Sequence, residues 1–177
     1  IATCNEINGQ YYVVAISRDI SDRKKAEAIL QETQNNFRAI FDNTFQFIGL
    51  TTPEGILLEA NQTALDFAGL TLEEVAQKPF WEARWWTLSE NSQKRLKEAI
   101  TQAARGEFVR YQEDVKGTGS TIATIDFSIR PVRDKNGKVV RLIPEGRDIT
   151  EKKQTEQELL RTRVRLEEKQ REIDFIL

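Results

Sequence analysis

Two short, matching stretches hold the residues whose types and spacing could do chemistry. Arg147-Asp148-Ile149-Thr150 sets a carboxylate and a hydroxyl two positions apart where an apolar run gives way to a charged one. Arg18-Asp19-Ile20-Ser21 stands 129 positions earlier, in the same relation to its own apolar run. Such a pair can accept hydrogen bonds from the free N–H groups of a starting helix, and Arg147 offers a salt-bridge donor beside Asp148. The work this suggests is anchoring: Asp148 and Thr150 would fix the joint between a last strand and an outgoing helix, with Ile149 against the domain. An ordinary helix cap would look the same, but its occurrence twice favours the joint. A second concentration is Phe80-Trp81-Glu82-Ala83-Arg84-Trp85-Trp86, which holds all three Trp residues.

Other chemistries are missing. The chain has no His, which removes a Ser-His-Asp set, a His-bound haem or zinc, and a phosphorylatable His. The lone Cys4 excludes an internal disulfide and a cysteine zinc site. Gly residues are scattered singly, so there is no phosphate-cradling loop. No carboxylate pair stands out for acid-base work, and the chain is not expected to be an enzyme. With 26 basic against 28 acidic residues it lacks the basic surface of a nucleic-acid binder. No run approaches the roughly 20 apolar residues of a membrane helix, so no membrane-spanning helix is expected. The chain has no Met, which reads as a piece of a longer protein.

These residues need elements to position them. Residues 1–18 read as two strands around Asn8-Gly9, a hairpin signal. Ser21 is placed to cap a helix running to about Asp42, with Ala26, Leu30, Thr33, Phe37 and Ile40 in heptad spacing. Phe45–Leu50 and Ile56–Ala60 read as strands around Pro53-Glu54-Gly55. Asn61 can cap a short helix closed by Gly69, Thr71-Leu72-Glu73-Glu74 spells a capping box, and Ser89 opens a longer helix stopped by Gly106. Three strands follow: Phe108–Val115, Thr121–Val132 with strict alternation, and Val139–Glu145 after Asp134-Lys135-Asn136-Gly137. Strand, strand, three helices and three strands imply an α+β domain, one antiparallel sheet with helices on one face. The repeat at a fixed offset makes residues 1–20 the tail of an upstream module, 21–42 a connecting helix, 43–150 a complete domain and 151–177 an outgoing helix.

This order, closed by Asp148-Ile149-Thr150, resembles a PAS domain of the bacterial sensor class. Phe37-Arg38-Ala39-Ile40-Phe41-Asp42-Asn43 resembles the helix leading into the PAS sheet. Leu57 to Ala64 resembles its second strand and first inner helix, and Thr124 to Lys153 its last strands and signalling helix. The resemblance implies a five-stranded sheet and a sensory or regulatory module. Such a module relays a signal through dimeric flanking helices to a downstream output domain. A histidine kinase of a two-component phosphorelay is the output expected. The alternative is a ligand-free dimerisation spacer in a diguanylate cyclase or other regulator.

Under that resemblance Phe47, Phe67, Trp81, Trp85, Trp86, Ile125 and Phe127 are candidates to line a pocket or fill the core, with Asn61 and Glu145 as polar candidates. Big aromatics plug cores more often than they hold cofactors, so any small-molecule ligand is expected to be weak or absent. No cofactor is expected: a flavin photosensor of the family needs a reactive Cys on an inner helix, and a haem sensor would normally use His, while Tyr or Cys ligation is chemically possible but has no motif here. The expected partner is a second copy of the chain in a parallel homodimer, with no nucleic acid and no membrane. Its seam would use Leu30, Phe37, Ile40, Leu159, Leu166 and Ile173, while Glu156, Arg163 and Gln170 make the later part polar.

Overall fold

The computed structural model describes the backbone over residues 2–7, 9–15 and 21–176, and side chains over 9–10 and 21–171. The copied Arg18-Asp19-Ile20 motif and Leu177 lie outside the described residues, as does the side chain of Ile173. The chain divides into two units, Ile1–Ile40 and Phe41–Leu177. In the first, β1 (Ala2–Ile7) and β2 (Gln10–Ala15) pair antiparallel, with Ala2 opposite Ala15. Helix α1 (Ser21–Asp42) begins at the expected hydroxyl residue, and its Ile29, Leu30, Phe37 and Ile40 are exposed.

The second unit holds β3 (Phe47–Thr51), β4 (Leu57–Ala60), α2 (Gln62–Ala68), α3 (Leu72–Val75), α4 (Glu90–Ala104), β5 (Val109–Lys116), β6 (Ile122–Arg133), β7 (Val139–Asp148) and α5 (Thr150–Ile176). Its five-stranded antiparallel sheet has the order β4-β3-β7-β6-β5. This is the mixed α+β arrangement the sequence implies. The first strand starts two residues later than expected, at Phe47, and leaves Phe45 98% exposed.

Local chemistry sets the element ends. Gly69 ends α2 at φ +63°, a left-handed conformation that costs glycine little. Thr71 and Glu74 form a capping box at α3, and the Ser89 hydroxyl accepts from the N–H of Ser92 at α4. Gly55 lies at φ +87°, and a Cβ there would come within 2.7 Å of the Trp81 ring. Alternation in β6 sends Ala123, Ile125, Phe127 and Ile129 inward. There they meet Leu96, Ala99, Ile100 and Ala103 of α4 and the residues of α2 in one core. The aromatic stretch has no helical period and forms two short 3₁₀ turns, Phe80–Glu82 and Arg84–Trp86.

Candidate functional site: an inner cavity and the exit joint

Between the inner face of the sheet and the 3₁₀ turns lies a small, partly open cavity of about 40 Å³. Phe47, Trp85, Trp86, Ile125 and Phe127, five of the seven expected residues, line it. Trp86 is 2% exposed and stands edge-on to Phe127 at 4.8 Å and to Phe80 at 5.4 Å, the offset geometry that aromatic rings prefer. The indole N–H of Trp85 donates to the carbonyl of Ala64 at 3.1 Å, fixing the turn against α2. No partner for the Trp86 N–H or the Tyr111 hydroxyl is present among the described residues. Burial pushes the Tyr111 hydroxyl pKa up, with Glu113 adding to the effect.

Two expected lining residues stand elsewhere. Phe67 packs against Phe47, ring centroids 4.9 Å apart, and does not line the cavity. Trp81 turns outward over Gly55, with the Lys97 ammonium 5.1 Å from its ring centre. A 3₁₀ turn has three residues per turn, so consecutive Trp85 and Trp86 can both be buried while Trp81 in the preceding turn is only half-buried.

Asn61 is not a cavity residue. Fully buried, its side-chain N–H groups donate to the carbonyls of Phe41 at 3.0 Å and Gln46 at 2.8 Å and to the Thr44 hydroxyl at 3.1 Å. Its side-chain oxygen accepts from the N–H groups of Ile48 and Ala64. One amide therefore caps α2 and ties together the end of α1, the following loop and β3. The sequence signal was a helix cap alone; the other partners lie 13 to 20 positions away. Glu145 borders the cavity from β7, between the buried Pro144 and Gly146.

At the exit, α5 starts at Thr150. The Asp148 carboxylate accepts from the Thr150 N–H at 2.8 Å and from its hydroxyl at 2.6 Å. That hydroxyl in turn accepts from the N–H of Thr124 on β6 at 2.9 Å, and the Ile149 N–H donates to the Thr124 carbonyl at 2.9 Å. Both main-chain groups of Thr124 are thus spent on holding the start of the helix. Ile149 is half-buried. Arg147 does not pair with Asp148. It stands opposite Asp126 in the β6–β7 register, since adjacent strand residues point to opposite faces. The carboxylate of Asp126 takes two hydrogen bonds from Arg110, which hold its pKa below the usual carboxylate range, with Arg147 adding to this.

Beyond the joint, Leu159 and Leu166 are 66% and 62% exposed, Leu160 is exposed to the same degree and Val164 somewhat less. Leu160 and Val164 lie about 100° and about 140° around the helix from Leu159, off the expected heptad seam. No group of His, Cys, Asp or Glu able to hold a metal occurs among the described residues, and no helix there is long and apolar enough to cross a membrane.

A sheet of this order, helices over one face, a small inner cavity and a clamped exit helix define a sensory-domain class of fold. The family described as the PAS fold matches residues 41–154, and the chain belongs to it. Over 142 residues it is 43% identical to the sensor histidine kinase TmoS of Ectopseudomonas mendocina, covering 79% of this chain and 14% of that protein. It is 37% identical over 134 residues to the hybrid signal transduction histidine kinase D of Dictyostelium discoideum, covering 75% and 9%. The chain thus spans about a seventh or less of these relatives. Among solved structures, the PAS domain of an HTR-like protein from Haloarcula marismortui superposes with TM-score 0.59 at 18% identity, over 71% of this chain and 99% of that one. The PAS domain of BvgS from Bordetella pertussis gives 0.55 at 24%, over 75% and 97%.

Proposed function

We propose that the chain is a non-catalytic sensory and regulatory module of a larger cytoplasmic signalling protein, acting as a parallel homodimer. It passes a signal along α5 to an output domain downstream in the same parent chain, a histidine kinase of a two-component phosphorelay. Residues 1–20 serve as the tail of a preceding module of the same kind. The observation that carries this reading is the Thr150 hydroxyl, bonded at once to β6 and to Asp148. A rearrangement of β6 or β7 is thereby delivered to the first turn of the helix. Support for the kinase output comes from the two relatives, both histidine kinases by name. The half-exposed apolar stripe on α5 supports pairing, since a charged helix with such a stripe gains stability by burying it.

A second reading, the ligand-free dimerisation spacer, is favoured by the cavity. About 40 Å³ is far below the roughly 300–1,000 Å³ of ordinary small-molecule sites. No resident cofactor belongs to either reading. Native mass spectrometry of the purified protein separates them: a dimer mass with a stoichiometric small molecule supports ligand sensing, and a bare dimer supports the spacer. Replacing Leu159, Leu166 and Ile173 together by Asp should shift sedimentation toward monomer with the sheet signal in circular dichroism intact. An unchanged sedimentation coefficient would sink the helix-mediated dimer.

A further inference from the structure

The join between β3 and β7 is interrupted at its middle. The two strands pair at Phe47 with Gly146, Ile48 with Glu145 and Thr51 with Leu142. The same register sets Gly49 opposite Pro144 and Leu50 opposite Ile143, yet neither forms a ladder pair among the described residues. Pro144 has no N–H to give, which is why proline is rare in the interior of a sheet. On its other side β7 is paired with β6 without a break there, Ile129 facing Pro144, so the missing bond falls toward β3. Van der Waals contact takes its place: a Cβ added to Gly49 would stand 3.1 Å from Cγ of Pro144. β3 is also loosened on its far side, by a bulge against β4 between Leu50 and Thr51. The Thr51 hydroxyl, on the same buried face as Gly49, makes no hydrogen bond among the described residues. The inner cavity meets the sheet along this line, touching Ile48 and Gly49 on one strand and Pro144, Glu145 and Gly146 on the other.

We propose that the sheet parts along this seam, between Gly49–Leu50 and Ile143–Pro144, and that the parting is the passage by which small apolar molecules reach the inner cavity. The sheet then behaves as two leaves. In one, β3 and β4 are fastened to the helical layer. Asn61 bonds Ile48 through both its side chain and its own N–H. Leu57 donates to the Lys78 carbonyl at 2.9 Å and accepts from the Gln77 N–H at 2.7 Å, and the Phe80 N–H donates to the Gly55 carbonyl at 2.9 Å. In the other leaf, β7 stays laddered to β6 from Asp148 back to Val139, and β6 to β5. Parting at the seam forfeits less than elsewhere in the sheet, because Pro144 contributes no donor. Glycine at 49 and 146 keeps the cavity side of the seam free of side chains at those positions. The opposite wall is closed by the buried rings of Phe80, Trp85 and Trp86. The exit joint belongs to the leaf that keeps its ladder, since the Thr124 clasp is on β6. Entry therefore leaves the root of α5 in place. The passage is a property of the domain alone and presupposes neither reading of the module's role.

Xenon, an atom that occupies small apolar cavities, is the probe, and its exchange into the whole chain is followed by xenon NMR. Amide hydrogen exchange is measured beside it. The amides of Gly49, Leu50, Thr51 and Ile143 should exchange about tenfold or more faster than those of Ile125 to Ile129 in β6. Leu50→Cys with Ile143→Cys, in a Cys4→Ser background, sets two thiols opposite each other on the outer face, outside the cavity lining. Oxidised, this variant should admit xenon about tenfold more slowly or worse at an affinity within about twofold of wild type. Reduced, it should match the wild type in both. Pro144→Val tests the seam without a cross-link: by restoring the N–H it should raise the protection of the seam amides about tenfold and slow xenon entry in step. Equal entry rates in the oxidised and reduced forms would put the passage elsewhere and overturn the proposal. Seam amides as well protected as those of β6 would overturn it too, and so would a cavity that takes up no xenon.

Discussion

The N–H of Thr124 donates to the hydroxyl of Thr150 at 2.9 Å, joining the middle of the sheet to the first residue of the outgoing helix across 26 positions of chain. The hydroxyl can accept there because its own proton goes to Asp148. Cap and clasp are thus one unit: loss of the carboxylate frees the hydroxyl to rotate, and loss of the hydroxyl leaves the Thr124 N–H unpaired.

Two substitutions at this joint should therefore behave alike. Asp148→Ala and Thr150→Val each remove about 0.5–2 kcal/mol of stability, read as a modest fall in melting temperature. Both should change basal output of the full-length parent by more than that loss explains. Thr71→Ala, a capping-box residue remote from α5, is the control. If it alters output as much per unit of lost stability, the joint is only a cap.

Asn61 should be the least replaceable polar residue of the domain. Asn61→Ala leaves the Phe41 and Gln46 carbonyls and the Ile48 N–H without their side-chain partner, the first in a buried place and the other two in partly buried ones. At about 1–3 kcal/mol for each unsatisfied group, a loss of roughly 3–5 kcal/mol is expected in urea unfolding. Asn61→Asp should be no milder, because a carboxylate cannot donate to the oxygens that the amide now serves. A loss below about 1 kcal/mol for both would mean that the hub is dispensable.

What the sequence revealed and what it hid follow from the range of the interactions. Gly69, the Thr71–Glu74 box, Ser89 and the Asp134 turn act within four residues, and their spelling was enough to place them. The alternation of β6 gave its inward set because one face of that strand is covered. The inward and outward Trp residues were not separable, since a 3₁₀ turn is set by tertiary contacts rather than by a repeating pattern. The hub role of Asn61 was hidden for the same reason: a capping Asn and a five-partner Asn are spelled alike. Chain proximity offers Arg147 as a donor beside Asp148, whereas strand alternation sets it opposite Asp126 across the ladder.

Acid should weaken the sheet through Asp126. Its carboxyl is held below the usual range by hydrogen bonds from Arg110, helped by the charges of Arg147 and Lys152. A depressed folded-state value means that the contribution is fully present above the unfolded carboxylate pKa, about 4, and is lost as pH falls through the lower folded value. Asp126→Asn should flatten the stability profile below about pH 4 and leave the pH dependence near neutrality unchanged. Because the pair is largely solvated, the effect should shrink in high salt. Equal acid sensitivity in wild type and variant would remove Asp126 from the account.

The three Trp residues give the last prediction, because their surroundings differ enough to be told apart by light. Trp85 and Trp86 are buried among Phe80, Phe127 and Ala64, while Trp81 is half-buried beneath Lys97. Quenching of the fluorescence by acrylamide should therefore be biphasic, with a shielded, blue-shifted part from the first two and an accessible part from the third. Trp81→Phe should abolish the accessible part and narrow the emission, with little change in unfolding free energy. Trp86→Ala should instead cost about 3–5 kcal/mol, because it enlarges a cavity that its indole now nearly fills. On the spacer reading, the wild-type protein should be colourless and should release no stoichiometric small molecule on denaturation. A bound molecule recovered in that step would mean that the aromatic wall opens to admit one, and the spacer reading would fall even if the quenching pattern held.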